Sequence, residues 1–141
     1  MKYKIEGLNK ATKDLHQFQL DAGFDDSNII QRLMLVHSEI SEAFEAYRKD
    51  KYANKLDMYH LDLDYFDGTL EAWKEKFEEG IKDTMEDEIA DAIIRLLAFC
   101  GENDIDIEKH IALKMAYNEM RGHKYGGKKF WSKDKTNTTR N

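Results

Sequence analysis

No proline interrupts the 141 residues, so nothing in the chain forces the break that a missing amide and a ring clash impose on a helix. β-Branched residues are few, and apolar residues recur with a period near 3.6, which predicts an all-α fold of about four main helices. A first helix carries Leu8, Ala11, Leu15 and Phe18 on one stripe and runs out near Gly23. A second, capped by Asp26 or Ser27, places Leu33, Val36, Ile40, Ala43 and Tyr47 on one face and fades near Asp50. Residues 51–69 show no clean period and read as a loop or partly ordered insert, followed by a short amphipathic helix over Leu70–Ile81. Thr84 followed by Asp87 approximates a capping box and opens a third long helix, with Ile89, Ala92, Ile93, Leu96, Leu97 and Cys100 inside and Gly101 at its end. A fourth starts at Asp104 or Asp106 and runs through Ile107, Ile111, Met115 and Asn118 to Gly122. The expected organisation is one domain over residues 1–123, with an insert at about 50–82, and a Gly/Lys-rich tail over 124–141.

Charge narrows the function classes. The formal net charge is -6, yet residues 124–141 hold six Lys/Arg against one Asp. The body is therefore acidic and only the tail basic, which argues against nucleic-acid binding as the main task. One cysteine, Cys100, excludes an internal disulfide. With neither a signal peptide nor a run of some 18 apolar residues, the reading is a soluble cytoplasmic protein without membrane attachment.

Four acidic residues stand out against this background: Glu39 and Glu42 in one helix, Glu88 and Asp91 in another. Each pair is spaced i,i+3, where like charges repel by a few tenths of a kcal/mol. At about 100° per residue from Glu39, the apolar Ile40, Ala43 and Tyr47 fall at about 100°, 40° and 80°, and Glu42 near 300°. Ile89, Ala92 and Leu96 repeat those angles from Glu88. The first carboxylate of each pair thus borders the buried stripe and the second lies further out. Antiparallel packing through the stripes would let all four converge. Such an all-oxygen set suits Mg²⁺ or Mn²⁺; the alternative is a solvated acidic edge on two amphipathic helices.

These pairs, with Lys114-x-x-x-Asn118-x-x-Arg121 and Gly126-Gly127-Lys128-Lys129-Phe130 downstream, resemble the MazG-like all-α nucleoside triphosphate pyrophosphohydrolases over residues 28–48 and 84–130. The resemblance implies a helical bundle completed across subunits, as a homodimer or homotetramer. It also implies Mg²⁺ and cleavage of a nucleoside triphosphate between its α and β phosphates to monophosphate and pyrophosphate. By position, Glu39, Glu42, Glu88 and Asp91 would hold metal, while Lys114, Asn118 and Arg121 would contact phosphates or support the site. Residues 43–87 make a longer connector than is usual in the family, which leaves the metal site intact and bears on substrate choice.

The chemistry stands without the resemblance. An acidic site repels a triphosphate until divalent metal reverses the local sign, and metal can acidify a water that serves as nucleophile. Glu42, lying further out than Glu39, is the candidate to accept that water's proton, with Glu45 behind it. Lys128 and its glycines are a candidate phosphate flap. Gly122 to Lys129 matches the P-loop spacing, but Lys129 stands where Ser/Thr is needed and the segment follows a helix. Asp62-x-Asp64-x-x-Asp67-Gly68 has the wrong spacing for a calcium loop, and a di-iron bundle calls for Glu-x-x-His, which is missing. His37 beside the first pair is a candidate substrate contact or a partly buried histidine. Tyr52, Tyr59, His60, Tyr65, Phe66 and Trp73 in the insert stack on a base, form a subunit contact or make a small satellite core. The rival function is a non-catalytic acidic helical module that docks a basic partner.

Overall fold

The computed structural model describes residues 4–24, 28–62 and 66–121, which form helices and no strand. In order these are α1 (Leu8–Asp21), α2 (Ile29–Arg48), α3 (Lys55–His60), α4 (Leu70–Gly80), α5 (Met85–Glu102) and α6 (Ile107–Met120). No described helix is long and apolar enough to cross a membrane. The expected tail at 124–141 lies outside the described residues.

Local chemistry explains the boundaries. Gly23 takes φ 80° just past α1, the left-handed conformation that glycine adopts at little cost. Asn28, not Asp26 or Ser27, caps α2, in a reciprocal pair with Gln31: its side chain accepts from the Gln31 amide while the Gln31 side chain accepts from its own. Asp26 and Ser27 themselves lie outside the described residues. Thr84 caps α5 by accepting from the Asp87 amide, as its spacing predicts. The insert is more ordered than its lack of period suggests. Asn54 caps α3 through the Leu56 amide, and α3 packs on α4. Trp73 stacks on Phe77 with ring centroids 5.4 Å apart and donates its indole N–H to the Leu61 carbonyl at 2.8 Å. These contacts make the satellite core of the insert, while Tyr52 and Tyr59 stay exposed.

The helix α5 is the centre of the packing, with α2 and α1 against it and α6 on α1. Three contacts fix the direction of α2 against α5. The Met85 amide donates to the Lys51 carbonyl at 3.0 Å, Arg95 meets Glu39, and Arg32 meets Glu102 at 3.2 Å. Residue numbers rise along one helix as they fall along the other, so the pair is antiparallel. Buried Arg32 also donates to the Phe24 carbonyl at 3.1 Å, tying the α1–α2 connection to the far end of α5.

Gly101 does not end α5. It lies inside the helix, where α1 crosses so closely that a Cβ would collide with the Thr12 carbonyl oxygen and come within 3.0 Å of His16 Cβ. The helix stops two residues later at Asn103, whose side chain donates to the Phe99 carbonyl at 2.9 Å.

The buried stripes also differ from expectation. On α2 and α5 the buried apolar residues are Ala43, Ala46, Ala92, Ala98 and Cys100, whereas Ile40, Tyr47, Ile89 and Leu96 are exposed. The true seam is displaced toward the small residues, because alanines let two helix backbones approach closely. Each buried methyl contributes only about 0.8 kcal/mol, so the larger apolar side chains outside the seam represent most of the hydrophobic potential of the chain.

Candidate metal centre

Between the middle of α2 and the first two turns of α5, two carboxylates are buried and two are exposed. Glu39 and Glu88 are 6% and 7% exposed, while Glu42 and Asp91 face solvent. This inside-and-outside division matches the helical angles even though the seam itself runs through alanines: Ala43 and Ala92 each sit four residues beyond the buried carboxylate, directly over it on the same face.

One oxygen each from Glu39, Glu42 and Glu88 lies within 4.8 Å of the other two. Ligand oxygens at about 2.1 Å from a hard divalent cation stand roughly 3 to 4 Å apart in an octahedral shell. The three therefore need only small side-chain adjustment to share one ion, and their all-oxygen character suits Mg²⁺ or Mn²⁺ better than a softer metal. Asp91 remains outside this trio.

The electrostatics are those of an anionic cluster held partly out of water. Burial, then the charges of Glu42 and Glu39, then a hydrogen bond with Glu39 and the charge of Asp87, raise the Glu88 carboxyl from 4.5 to about 7. Asp91 is also raised, first by desolvation and then by Glu39 and Asp87, with Arg95 acting the other way. Like charges and desolvation both favour the neutral acid. The start of α5 keeps Glu88 in place, since the Asp83 amide donates to Asp87 at 3.0 Å and the Ala53 amide to Glu86 at 2.9 Å.

Sequence reasoning missed Arg95. Its Nε donates to Glu39 Oε1 at 2.7 Å, so the guanidinium supplies positive charge to the cluster from the protein itself. A signal was present: Arg95 is one charged residue within Ile93-Ile94-Arg95-Leu96-Leu97, four residues after Asp91 and on the same helical face.

A cleft of about 250 Å³ opens beside the trio, lined by Glu42, Glu45, Ala46, Lys49, Lys51, Asp83 and Glu88. The expected phosphate contacts are not part of that lining. Lys114, Asn118 and Arg121 lie exposed on or just past α6, whose main packing is on α1. The Lys114 ammonium and the Arg121 guanidinium both sit over the Tyr117 ring, 5.2 Å and 5.8 Å from its centroid. Lys128 lies outside the described residues. His37 is exposed, so the partly buried histidine is not what forms there.

Comparison of the chain with protein-family models, with curated proteins and with solved structures gives no significant match.

Proposed function

We propose that this chain is a divalent-metal-dependent nucleoside triphosphate pyrophosphohydrolase, releasing monophosphate and pyrophosphate. The observation that carries the reading is the meeting of Glu39, Glu42 and Glu88 from two antiparallel helices, with ligand oxygens within 4.8 Å and two of the three carboxylates buried. Burying two acids side by side raises the free energy of the fold; here Arg95 on Glu39 and the raised Glu88 carboxyl offset that cost, and a divalent ion would take the place of the Glu88 proton. A site of that kind is better suited to capturing a metal than to holding the fold together.

Glu39, Glu42 and Glu88 would hold the ion, with Asp91 at the edge. When bound, Mg²⁺ or Mn²⁺ would supply Lewis acidity toward phosphate oxygens and an acidified water. The remaining work falls to the chain. Glu42, solvent-facing and on the cleft, would accept the proton of the attacking water. Arg95 holds Glu39 Oε1 and fixes that carboxylate's orientation, the role an outer partner plays for a metal ligand. Lys114, Asn118 and Arg121 remain candidates for phosphate contact in an assembled form, because α6 packs chiefly on α1.

Assembly is part of the proposal. Ile29, Ile30, Leu33, Met34, Ile40 and Phe44 of α2 are each between 45% and 74% exposed. Apolar surface of that extent on one helix marks an interaction face, and a second copy of the chain, as dimer or tetramer, would cover it.

The test is a panel of ribo- and deoxynucleoside triphosphates assayed for pyrophosphate with and without Mg²⁺. Metal-dependent pyrophosphate release, lost in Glu39→Gln with helicity retained, is the expected result. Orthophosphate as first product, or turnover indifferent to Glu39→Gln, would refute it.

A further inference from the structure

The cleft beside the carboxylates is lined by groups of both charges. Glu42 and Glu88 belong to the metal centre, and Lys49 and Lys51 line the same cleft. The lysine segment is held by backbone geometry. Asp50 takes φ 54°, turning the chain sharply after α2. The Lys51 amide then donates to the Ala46 carbonyl at 2.9 Å and its own carbonyl accepts from Met85 at 3.0 Å. Lys51 is thereby stitched to the end of α2 and the start of α5 together. Lys49 keeps a loose contact with Glu45 at 3.9 Å, while no carboxylate among the described residues pairs with Lys51.

Charge decides what such a cleft accepts. Its lining carries four carboxyl groups, Glu42, Glu45, Asp83 and Glu88, against two ammonium groups. A bare polyanion is repelled, whereas one arriving with a divalent cation meets carboxylates for the cation and lysines for the phosphate oxygens. At about 250 Å³ the space lies below the roughly 300–1,000 Å³ of pockets that enclose drug-sized molecules. It suits a short phosphate chain better than a whole nucleotide.

We infer that Lys49 and Lys51 make this cleft the subsite for the terminal diphosphate of the substrate, the part released as pyrophosphate, bound as its metal chelate. The inference deepens the pyrophosphohydrolase reading and rests on it. Lys51 is the principal contact and Lys49 the secondary one. The nucleoside then lies outside this cleft.

The experiment is calorimetric titration of the full-length protein with inorganic pyrophosphate, with and without Mg²⁺, for wild type, Lys51→Gln, Lys51→Arg and Lys49→Gln/Lys51→Gln. Circular dichroism verifies that each variant is folded. Wild type should bind only with Mg²⁺, and the double variant should bind at least tenfold more weakly. Lys51→Arg should keep most of the affinity, and Mg²⁺ alone should bind all four proteins at least as tightly as wild type. Nucleotide turnover by the double variant should show a raised KM with kcat much less affected. Equal pyrophosphate affinity in wild type and double variant, or wild-type binding without metal, overturns the subsite. If wild type hydrolyses nucleotide and the double variant retains its KM, the subsite fails and the activity stands. If pyrophosphate binds as expected and no nucleotide is cleaved, the activity fails and the cleft stands as a metal-pyrophosphate site.

Discussion

Arg95 Nε lies 2.7 Å from Glu39 Oε1 across 56 residues of sequence, joining the middle of α5 to the middle of α2 beside the carboxylate trio. The carboxylate is 8% exposed and the arginine 35%. The pair therefore lies between a buried ion pair, which is costly to break, and a surface pair of little consequence. Arg95→Gln should destabilise the metal-free protein by about 1–2 kcal/mol. Urea unfolding in EDTA measures this. Saturating Mg²⁺ should narrow the difference, because the ion takes over neutralisation of Glu39; a difference unchanged by metal would show that the arginine acts through packing alone.

Glu88 gives the stability of the metal-free protein a pH signature. Its carboxyl holds a proton to about pH 7 in the fold, against 4.5 ordinarily. The folded state thus binds more protons than the unfolded state between those values. Its contribution is fully present below about pH 4.5 and is lost as pH rises through 7. Glu88→Gln should remove that slope and stabilise the metal-free protein at pH 8 by at most about 3 kcal/mol, read by denaturant midpoints at pH 5 and pH 8. Mg²⁺ affinity of the wild type should rise over the same window, because the metal competes with the proton.

Gly101→Ala is a substitution that helix propensity alone would favour by about 1 kcal/mol. The crossing of α1 reverses the sign, since the new Cβ would meet Thr12 backbone, with the carbonyl carbon at 2.7 Å. Two pieces of backbone cannot yield as a side-chain tip can, and the expected loss is about 1–3 kcal/mol. A thermal melt that moves upward would contradict the close crossing.

The exposed apolar surface predicts concentration-dependent behaviour. Leu33 and Ile93 are 45% and 50% exposed, so Leu33→Glu or Ile93→Glu in an isolated subunit should change stability by less than about 0.5 kcal/mol. If these faces are shared between copies, either change should shift light scattering toward the monomer while leaving far-UV dichroism intact. A wild-type protein already monomeric at micromolar concentration would refute assembly.

The sequence disclosed every helix but α3, whose residues 55–60 show no clean period, and the division of each acidic pair, because both depend on local periodicity. Thr84 as a cap could be read from Asp87 three residues on, and Glu39 and Glu88 as inward residues from their angles alone. Arg95 was concealed because its partner is on another helix, and the contact depends on an antiparallel register that local spacing does not contain. The alanine seam was concealed for a different reason. Ranking residues by hydrophobicity points to Ile40, Tyr47, Ile89 and Leu96, whereas packing one helix closely on another selects for small size, and Ala43, Ala46 and Ala92 are buried instead. Gly101 reads as a stop signal by residue type, yet its function is to clear space for α1. Tertiary proximity outweighed local preference at each of these positions.

The alanines of the seam have a consequence for how this chain can evolve. Replacing Ala43 or Ala92 with valine would wedge α2 from α5 and separate Glu39 and Glu42 from Glu88, although neither alanine carries a polar atom in its side chain. Purifying selection on the acidic centre would therefore fall on two methyl groups as heavily as on the carboxylates. Drift at these positions would part the carboxylates before any charge was altered.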